Sequence, residues 1–324
     1  MKLNKVFKLN IILIIVLFIL MFISINIGVE KFNIGNLLNG IEHDVNIFLK
    51  SRFPRVLSVI IVGVSMSICG LIMQTISVNK FVSPSTAGTM DWAKLGILIA
   101  VFFFGNSSVI AKMTIGVIVA LAGTMLFMII LRKVKFKNTV IVPLLGIMLG
   151  NVVSAITSFI GLKFDLNQYL TTWLNGSFTL VTKGNYELLY IGIPFMLIAV
   201  LYAGKFTIAA MGEDFSTNLG LNHKKIVMLG LIIVSTITSL VVVTIGTIPF
   251  IGLIVPNIVS MYVGDNLKKS LLTTALFGSV LVLICDIIGR VLIFPYEVSI
   301  SVIMSVIGSI LFLIIIFKRK MGTN

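Results

Sequence analysis

The chain has 324 residues, of which 58% are hydrophobic and 11% are charged, and its formal net charge is +14. Because soluble domains carry about 25% charged residues, this composition excludes an ordinary soluble domain and indicates an integral membrane protein. The basic residues lie between apolar runs rather than on one soluble surface, so the positive charge does not indicate a nucleic-acid partner.

Apolar runs divide the chain into ten predicted transmembrane helices, since about 20 apolar residues cross a bilayer as a helix. The first run follows Lys2, Lys5 and Lys8 and has no signal-peptidase pattern after it, so we expect an uncleaved span. The fold class is therefore all-α, a polytopic membrane domain that covers residues 1–324. The predicted spans are 7–27, 55–76, 86–105, 109–131, 139–161, 187–203, 227–246, 249–263, 270–292 and 298–317.

The distribution of charge predicts the orientation of these spans. With a cytoplasmic N-terminus, most lysines and arginines fall in cytoplasmic loops and most acidic residues fall outside. This asymmetry follows the positive-inside rule, and an even number of spans agrees with it. We therefore expect a multi-pass membrane protein with both termini in the cytoplasm.

Two segments rich in proline and glycine interrupt the apolar pattern at matching places. VSPSTAG (82–88) precedes the third span, and TIPFIGLIVPNI (247–258) crosses the start of the eighth. The set of spans two to five begins outside the cell, whereas the set of spans seven to ten begins in the cytoplasm. The two sets therefore form inverted halves. Inverted halves that both contain broken helices are typical of transporters.

The sequence leaves two energy sources for transport open. No G-x-x-x-x-G-K-[ST] motif is present, so the chain lacks the usual nucleotide cradle. One possibility is a partner ATPase, which the segment 204–226 would contact through a short surface helix that follows Glu213 and Asp214 and ends before Gly220. The same segment also fits an ordinary solvated connector. The other possibility is an ion gradient that uses Asp91 and Asp286, the acids within the predicted spans.

Both of these acids have a basic residue within reach on the same helix face. Asp91 and Lys94 are spaced i,i+3, and Asp286 and Arg290 are spaced i,i+4, so each pair can neutralise its own charge. Asp91 follows Pro84 by seven residues, about 10 Å of helix, which predicts a position near the cytoplasmic side. A structural pair and a role for Asp91 in a pathway or gate both remain open.

Metal and enzyme chemistry are not indicated by the sequence. Cys69 and Cys285 lie within apolar runs, and His43 and His223 lie in loops without metal-ligand spacing. No Ser/His or paired-Asp constellation indicates catalysis. We expect a transport protein without a cofactor or a metal site of its own.

Four segments in order resemble the FecCD/BtuC-like permease family of iron–siderophore and vitamin B12 ABC importers. They are SRFPRVLSVIIVGVSMSICGLIMQ (51–74), TWLNGSF (172–178), GEDFSTNLGL (212–221) and the region from GTIPFIGLIVPNI to DIIGR (246–290). The pattern is most similar to the branch that handles catecholate siderophores such as petrobactin.

The resemblance implies a ten-span type II importer permease in the plasma membrane of a bacterium, and a set of partners. These are a second permease subunit, with a heterodimer favoured over a homodimer, separate ABC ATPase subunits that hydrolyse ATP, and a substrate-binding lipoprotein. The implied substrate is a ferric siderophore of the catecholate or petrobactin type. A cobalamin or haem importer of the same family is one alternative, and a proton-coupled secondary transporter is an alternative from another class.

The resemblance also implies site residues. Arg52, Arg55 and Arg290 match arginines that dock the binding protein, although such arginines also serve as interfacial anchors. Residues that match the ATPase-coupling segment are Gly212, Glu213, Leu219 and Gly220. Lys80, Trp92 and Asn257 depart from the family pattern. The residues we expect in the translocation pathway or gate, from the family positions and from the polar face of the fifth span, are Pro84, Gly88, Thr89, Asp91, Asn151, Ser154, Pro256 and Asn257.

Overall fold

The structure is a computed structural model that describes residues 2–105, 108–133, 141–179, 181–184 and 186–321, and these residues form α-helices without a β-sheet. A π-helical turn (Phe48–Arg52) and a 3-10 turn (Glu187–Ile191) precede two of the helices. The helices are α1 (Lys2–Asn26), α2 (Ile34–Leu38), α3 (Glu42–Ile47), α4 (Phe53–Ile76), α5 (Thr89–Phe103), α6 (Val109–Lys133), α7 (Ile141–Lys163), α8 (Asn167–Leu174), α9 (Gly192–Ala209), α10 (Glu213–Asn218), α11 (His223–Ile245), α12 (Ile251–Val263), α13 (Leu267–Val291) and α14 (Ile300–Met321).

Ten of these helices coincide with the ten predicted spans, namely α1, α4, α5, α6, α7, α9, α11, α12, α13 and α14. Within the described ranges, seven helical segments are long and apolar enough to cross a membrane by length and composition. The apolar stretches of α6 (Thr114–Phe127) and α12 are shorter, and α5 has only 15 residues. The predicted all-α membrane fold is confirmed.

The two ends of the bundle are distinguished by the directions of α1, α13 and α14. Thr273 donates to Asn10 at 2.8 Å near the starts of α13 and α1, and Arg290 contacts Ser24 near their ends, so these helices run in parallel. Helix α14 runs the other way, because it starts beside the end of α13, where Val298 N donates to Gly289 O. Ser301 at its start bonds to Thr247, so α11 ends at the same level and begins at the other end of the bundle. We name the end where α1 begins the terminal face, and the other end the opposite face. Helix α10 lies at the terminal face, before α11 begins.

Helix α4 is at the centre of the packing, with α12 and α13 very close to it. The backbone of Gly70 lies against that of Gly252, and Gly63 lies against Gly278 and Ser279. Small residues allow helix backbones to approach this closely in a membrane. Buried apolar side chains of α4, α11 and α13 surround these contacts and form the core together with buried residues of α5, α9 and α12.

The Gly70 contact predicts a large difference between two alanine substitutions. A Cβ atom on Gly70 would overlap the Gly252 backbone, whereas one on Gly204 in α9 would meet no described atom within 4 Å. We expect Gly70→Ala to destabilise the purified protein by about 1–3 kcal/mol through overpacking. Gly204→Ala should leave stability equal or higher, because alanine favours a helix over glycine by about 1 kcal/mol. Equal thermal unfolding midpoints for the two variants would contradict this contact.

The two predicted breaks bring the chain back into the bundle before a short helix begins. After α4, Val82 and Ser83 are buried, and Gly88 adopts a left-handed conformation (φ +73°) just before α5. After α11, Gly246 (φ +94°) and Phe250 (φ +67°) turn the chain into α12. These turns explain why α5 and α12 are short. The inverted relation between the two halves stays a prediction.

Candidate functional site

Arg55, near the start of α4, is the centre of a charged cluster at the opposite face. Its guanidinium donates to Asp286 Oδ1 at 3.2 and 2.8 Å and to both carboxylate oxygens of Glu297 at 2.8 and 3.0 Å. On the other side of Asp286, Arg290 Nη2 lies 2.8 Å from Oδ2. The predicted pairing of Asp286 with Arg290 is therefore confirmed. We name these four residues the arginine–carboxylate cluster.

Arg290 also binds the carboxyl end of α1, and both Arg52 and Arg290 bind the chain just after it. Arg290 donates to Ser24 O at 2.9 Å and to Ile27 O at 3.0 Å, and it contacts Ser24 Oγ. Arg52 donates to Ile27 O and, at 2.9 Å, to Glu30 O. The last carbonyls of a helix lack intrahelical donors and carry partial negative charge, so Arg290 stabilises the end of α1 through Ser24 O, while Arg52 holds the chain that follows it.

The three arginines predicted to dock a binding protein thus lie together, but they have partners within the chain. Arg52 and Arg290 are buried. The side chains of Arg55 and Glu297 keep 14% and 20% of their surface exposed, so this pair is the outward part of the cluster. These contacts do not test docking, which stays a prediction.

Glu297, in the turn between α13 and α14, is ionised and well held. Burial raises its pKa, but the hydrogen bonds and charge of Arg55 and the hydrogen bond from Thr179 outweigh burial and leave the pKa below the ordinary value. Thr179 Oγ1 donates to Glu297 Oε2 at 2.6 Å. The turn is therefore tied to the start of α4 by a charged contact that persists at neutral pH.

The second charged feature is the pair of Asp91 and Lys94 in α5. Lys94 Nζ lies 3.1 Å from Asp91 Oδ1, which confirms the predicted i,i+3 pair. A Cβ atom on Gly150 would lie 2.6 Å from Asp91 Oδ2, so the carboxylate packs against the tenth residue of the 23-residue α7. The pair therefore lies near the middle of α7.

The predicted position of Asp91 near the cytoplasmic side was wrong. The prediction counted residues from Pro84 and assumed that this proline lies at the surface of the bundle. In the structure Pro84 is buried beside Gly252, which in turn contacts Met66 and Gly70 in the interior of α4. The break re-enters the bundle, so α5 starts deep inside it and carries the charged pair to mid-depth.

Next to this pair is a cavity of about 210 Å³ between α5, α7 and α8. We name it the α5–α7–α8 cavity. Lys94 lines it from α5, and the remaining polar wall comes from α7, from α8 and from the chain after α8 and α11. Its lining residues are Lys94, Ser154, Thr157, Ser158, Asn167, Leu170, Thr171, Leu174, Asn175 and Thr247.

Only some of the predicted pathway residues lie at the α5–α7–α8 cavity. Ser154 lines the cavity, and Asp91 pairs with Lys94, which also lines it. Asn151 does not line this cavity, and its side chain is exposed on the surface of α7. The sequence predicted Lys94 only as a partner of Asp91. The polar residues of α7 and α8 indicate that these two helices share a polar surface, but their spacing does not show that α5 faces it.

The other predicted pathway residues are packed inside the chain. Thr89 shares a 3.0 Å hydrogen bond with Thr124 of α6. Asn257 donates to Lys80 O and to Leu253 O, both at 2.7 Å, and so fastens α12 to the chain after α4. Pro84, Gly88 and Pro256 are also buried. In this conformation these residues hold the two breaks in place.

Helix α10 at the terminal face is the short surface helix that the acids and glycines predicted. Ser216 Oγ bonds to Gly212 O at 2.6 Å and to Ile208 O at 3.2 Å, which fixes the helix to the end of α9. Gly212 and Gly220 have φ angles of +109° and +75°, which glycine adopts readily. Glu213 lies 3.5 Å from Lys224 in an exposed ion pair.

Apolar side chains are exposed on and beside α10. Met211, Phe215 and Leu219 follow one another at a spacing of four residues, and their exposed fractions are 62%, 47% and 56%. Phe215 and Leu219 are one turn apart along α10 and its C-cap and lie on one side of it, while Met211 precedes the helix, before Gly212. The terminal face therefore presents an apolar ridge, which we name the α10 ridge, beside the Glu213–Lys224 pair.

The FecCD transport family matches residues 13–318 of the chain. The chain belongs to the FecCD transport family. It is 56% identical over 308 residues to the petrobactin import system permease protein YclN of Bacillus subtilis (strain 168), covering 95% of this chain and 98% of that protein. It is also 40% identical over 270 residues to the ferric-anguibactin transport system permease protein FatD of Vibrio anguillarum, covering 83% of this chain and 86% of that protein.

A solved structure has the same fold as this FecCD chain. It is an inward-facing conformation of a metal-chelate type ABC transporter, with a TM-score of 0.82 and 23% sequence identity, and the match covers 96% of this chain and 99% of the other. The likeness confirms the expected fold. Family membership also places the chain among transport permeases rather than enzymes.

Proposed function

We propose that this chain is a permease subunit of an ATP-driven ABC importer that carries a ferric siderophore of the catecholate or petrobactin type into the cytoplasm. The observation that carries this proposal is the 56% identity, over nearly the whole length of both chains, to a petrobactin import permease. The ferric-anguibactin permease at 40% identity supports a chelated-iron substrate. Cobalamin and haem are the alternatives within this kind of importer.

The ion pairs favour ATP over a proton gradient as the energy source. A proton relay needs an acid that binds and releases protons, but Asp286 is held between Arg55 and Arg290, and Asp91 is held by Lys94. Each acid is therefore engaged in an ion pair within the chain, which supports a structural role for both in this conformation.

The α10 ridge supports a partner ATPase at the terminal face, which we place in the cytoplasm with both termini. An exposed apolar surface with a polar rim is typical of a protein–protein contact. The segment is short, is held to α9 by Ser216, and offers Phe215 as an anchor. The coupling role of Gly212, Glu213, Leu219 and Gly220 would then be to shape and present this ridge.

Helix α7 supports a second permease subunit. Asn151 and Ser158 are exposed on α7 among the exposed apolar residues Val152 and Phe159. A polar group facing hydrocarbon is unfavourable, so polar side chains within spans usually face protein or a water-filled cavity. We propose that this surface faces the second subunit, in a heterodimer, and the substrate pathway between them.

The opposite face would then meet a substrate-binding lipoprotein outside the cell. Arg55 and Glu297 are the accessible part of the cluster for such docking. Reversing the charge of both Arg52 and Arg55 would test docking poorly, because Asp286 and the end of α1 would lose their partners as well. Affinity for the lipoprotein must therefore be measured on variants whose folding has been verified.

Uptake in a deletion strain tests the proposed function. Deleting the gene is expected to reduce uptake of iron-labelled petrobactin to background, and the cloned gene should restore it. Uptake of labelled cobalamin and haem should be unchanged in the same strain. Loss of cobalamin or haem uptake with normal petrobactin uptake would replace the proposed substrate by one of these alternatives.

A further inference from the structure

Lys94 pairs with Asp91 and also lines the α5–α7–α8 cavity. Resting on the proposed siderophore import, we infer that the Lys94 ammonium binds one negatively charged arm of the ferric chelate, through its catecholate or carboxylate oxygens, in the α5–α7–α8 cavity. Asp91 is then a positioning residue that holds the ammonium at the cavity wall.

The geometry places Asp91 behind Lys94 and the cavity in front of it. The Asp91 carboxylate packs against Gly150, and among the described residues Asp91 does not line the cavity, whereas Lys94 does. An ammonium has three donors. The 3.1 Å contact with Asp91 uses one of them, which leaves two for a ligand in the cavity.

The rest of the cavity wall is polar without being charged. Of the described residues that line it, Lys94 alone carries a charge. Thr157 and Thr171 donate to carbonyls of their own helices and keep oxygen lone pairs free. Ser154, Ser158, Asn167 and Asn175 have side chains without a hydrogen bond to another described residue, and so are available to a ligand as donors and acceptors.

The size of the cavity limits what it can hold. Pockets that enclose a drug-sized ligand measure about 300–1,000 Å³, and this cavity measures about 210 Å³. It therefore accommodates one arm of a chelate, while the remainder lies beside the exposed polar residues of α7. A ferric catecholate carries negative charge on its oxygens, which matches a single ammonium surrounded by hydroxyl and amide groups.

An ion pair at this depth contributes little to the stability of the fold by itself. Well-packed apolar residues usually replace a partly buried ion pair without loss, because desolvation opposes the attraction between the charges. A binding role predicts instead that the lysine charge is needed even when the aspartate charge is removed with it. The double variant Asp91→Asn/Lys94→Met separates these two explanations.

The test uses membrane vesicles that contain the complete importer, supplied with lipoprotein loaded with ferric petrobactin at saturation. Initial uptake rates are divided by the amount of permease, and ATP hydrolysis without chelate reports assembly. We expect Lys94→Met and Asp91→Asn/Lys94→Met both to slow uptake about tenfold, or about 1.4 kcal/mol in the barrier. The uptake rate of Lys94→Arg should stay within about threefold of that of the unmodified protein. Lys163→Met removes a lysine at the exposed end of α7 and should import at the unmodified rate.

The outcomes separate this inference from the proposed function. A double variant that imports at the unmodified rate would overturn the inference, since the pair would then be structural. An equal loss in Lys94→Arg would also overturn it, because charge would not be the property required. If Lys94→Met does not assemble, the uncharged double variant decides. If unmodified vesicles import no ferric catecholate, the proposed function fails and the inference fails with it.

Discussion

Replacing Phe215 by aspartate is expected to reduce siderophore uptake to background while the permease remains folded. The ring is the central residue of the α10 ridge and is exposed, so folding does not depend on its burial. A charge at the centre of an ATPase contact would weaken binding by about 2 kcal/mol or more, as for other interface anchors. Co-purification of the ATPase and ATP-driven uptake in vesicles measure the effect.

Two further variants and one control sharpen this test. Glu213→Lys reverses the charge beside the ridge and removes the pair with Lys224, so it should also uncouple ATP hydrolysis from uptake. Gly220→Pro should do the same by distorting the turn, because proline cannot adopt its positive φ. Leu38→Asp introduces the same acid at an exposed leucine of α2 and should leave ATPase binding intact. If ATP hydrolysis remains normally coupled to uptake in Phe215→Asp, α10 is not the contact for the ATPase.

Replacing Asp286 by asparagine is expected to destabilise the permease strongly. The side chain of Asp286 is 2% exposed and lies between two guanidinium groups. Without its charge, Arg55 keeps Glu297, but Arg290 keeps only neutral partners at the end of α1. Breaking a buried ion pair on one side costs about 3–5 kcal/mol. The midpoint of thermal unfolding in detergent and the amount of permease in membranes should both fall.

The same variant distinguishes the cluster from a proton relay. Asp165→Asn removes an exposed acid and should change neither stability nor uptake. If Asp286 were a relay, Asp286→Asn would abolish uptake in a permease of normal stability, and dissipating the proton gradient in vesicles supplied with ATP would stop import. We expect the reverse for both: reduced stability in the variant, and import that continues without the gradient.

The local features of this protein were predictable because each depends on residues close in the chain. Ten apolar runs specify ten helices, since a helix satisfies its own backbone hydrogen bonds in lipid and needs no distant partner. The pairs Asp91–Lys94 and Asp286–Arg290 follow from helical spacing alone. Glu213 and Gly220 similarly marked the ends of α10. In each case the governing distance is one helical turn.

Tertiary structure decided which of these local features meet. Arg55 and Asp286 are 231 residues apart, and nothing in either segment specifies the other as its partner. The family resemblance assigned Arg52 and Arg290 to a docking surface, but the end of α1 and the chain just after it accept their hydrogen bonds. Hydropathy places helices in order along the chain; it does not place them beside one another.

The depth of Asp91 shows the same division. Its pairing with Lys94 was determined by sequence, whereas its position depended on how far the segment around Pro84 returns into the bundle. That return is set by contacts with Gly252 and α4, made by residues far apart in the chain. The α5–α7–α8 cavity likewise exists because three helices enclose it. The sequence by itself determined the helices and their charges, and packing alone decided that Lys94 faces a polar cavity.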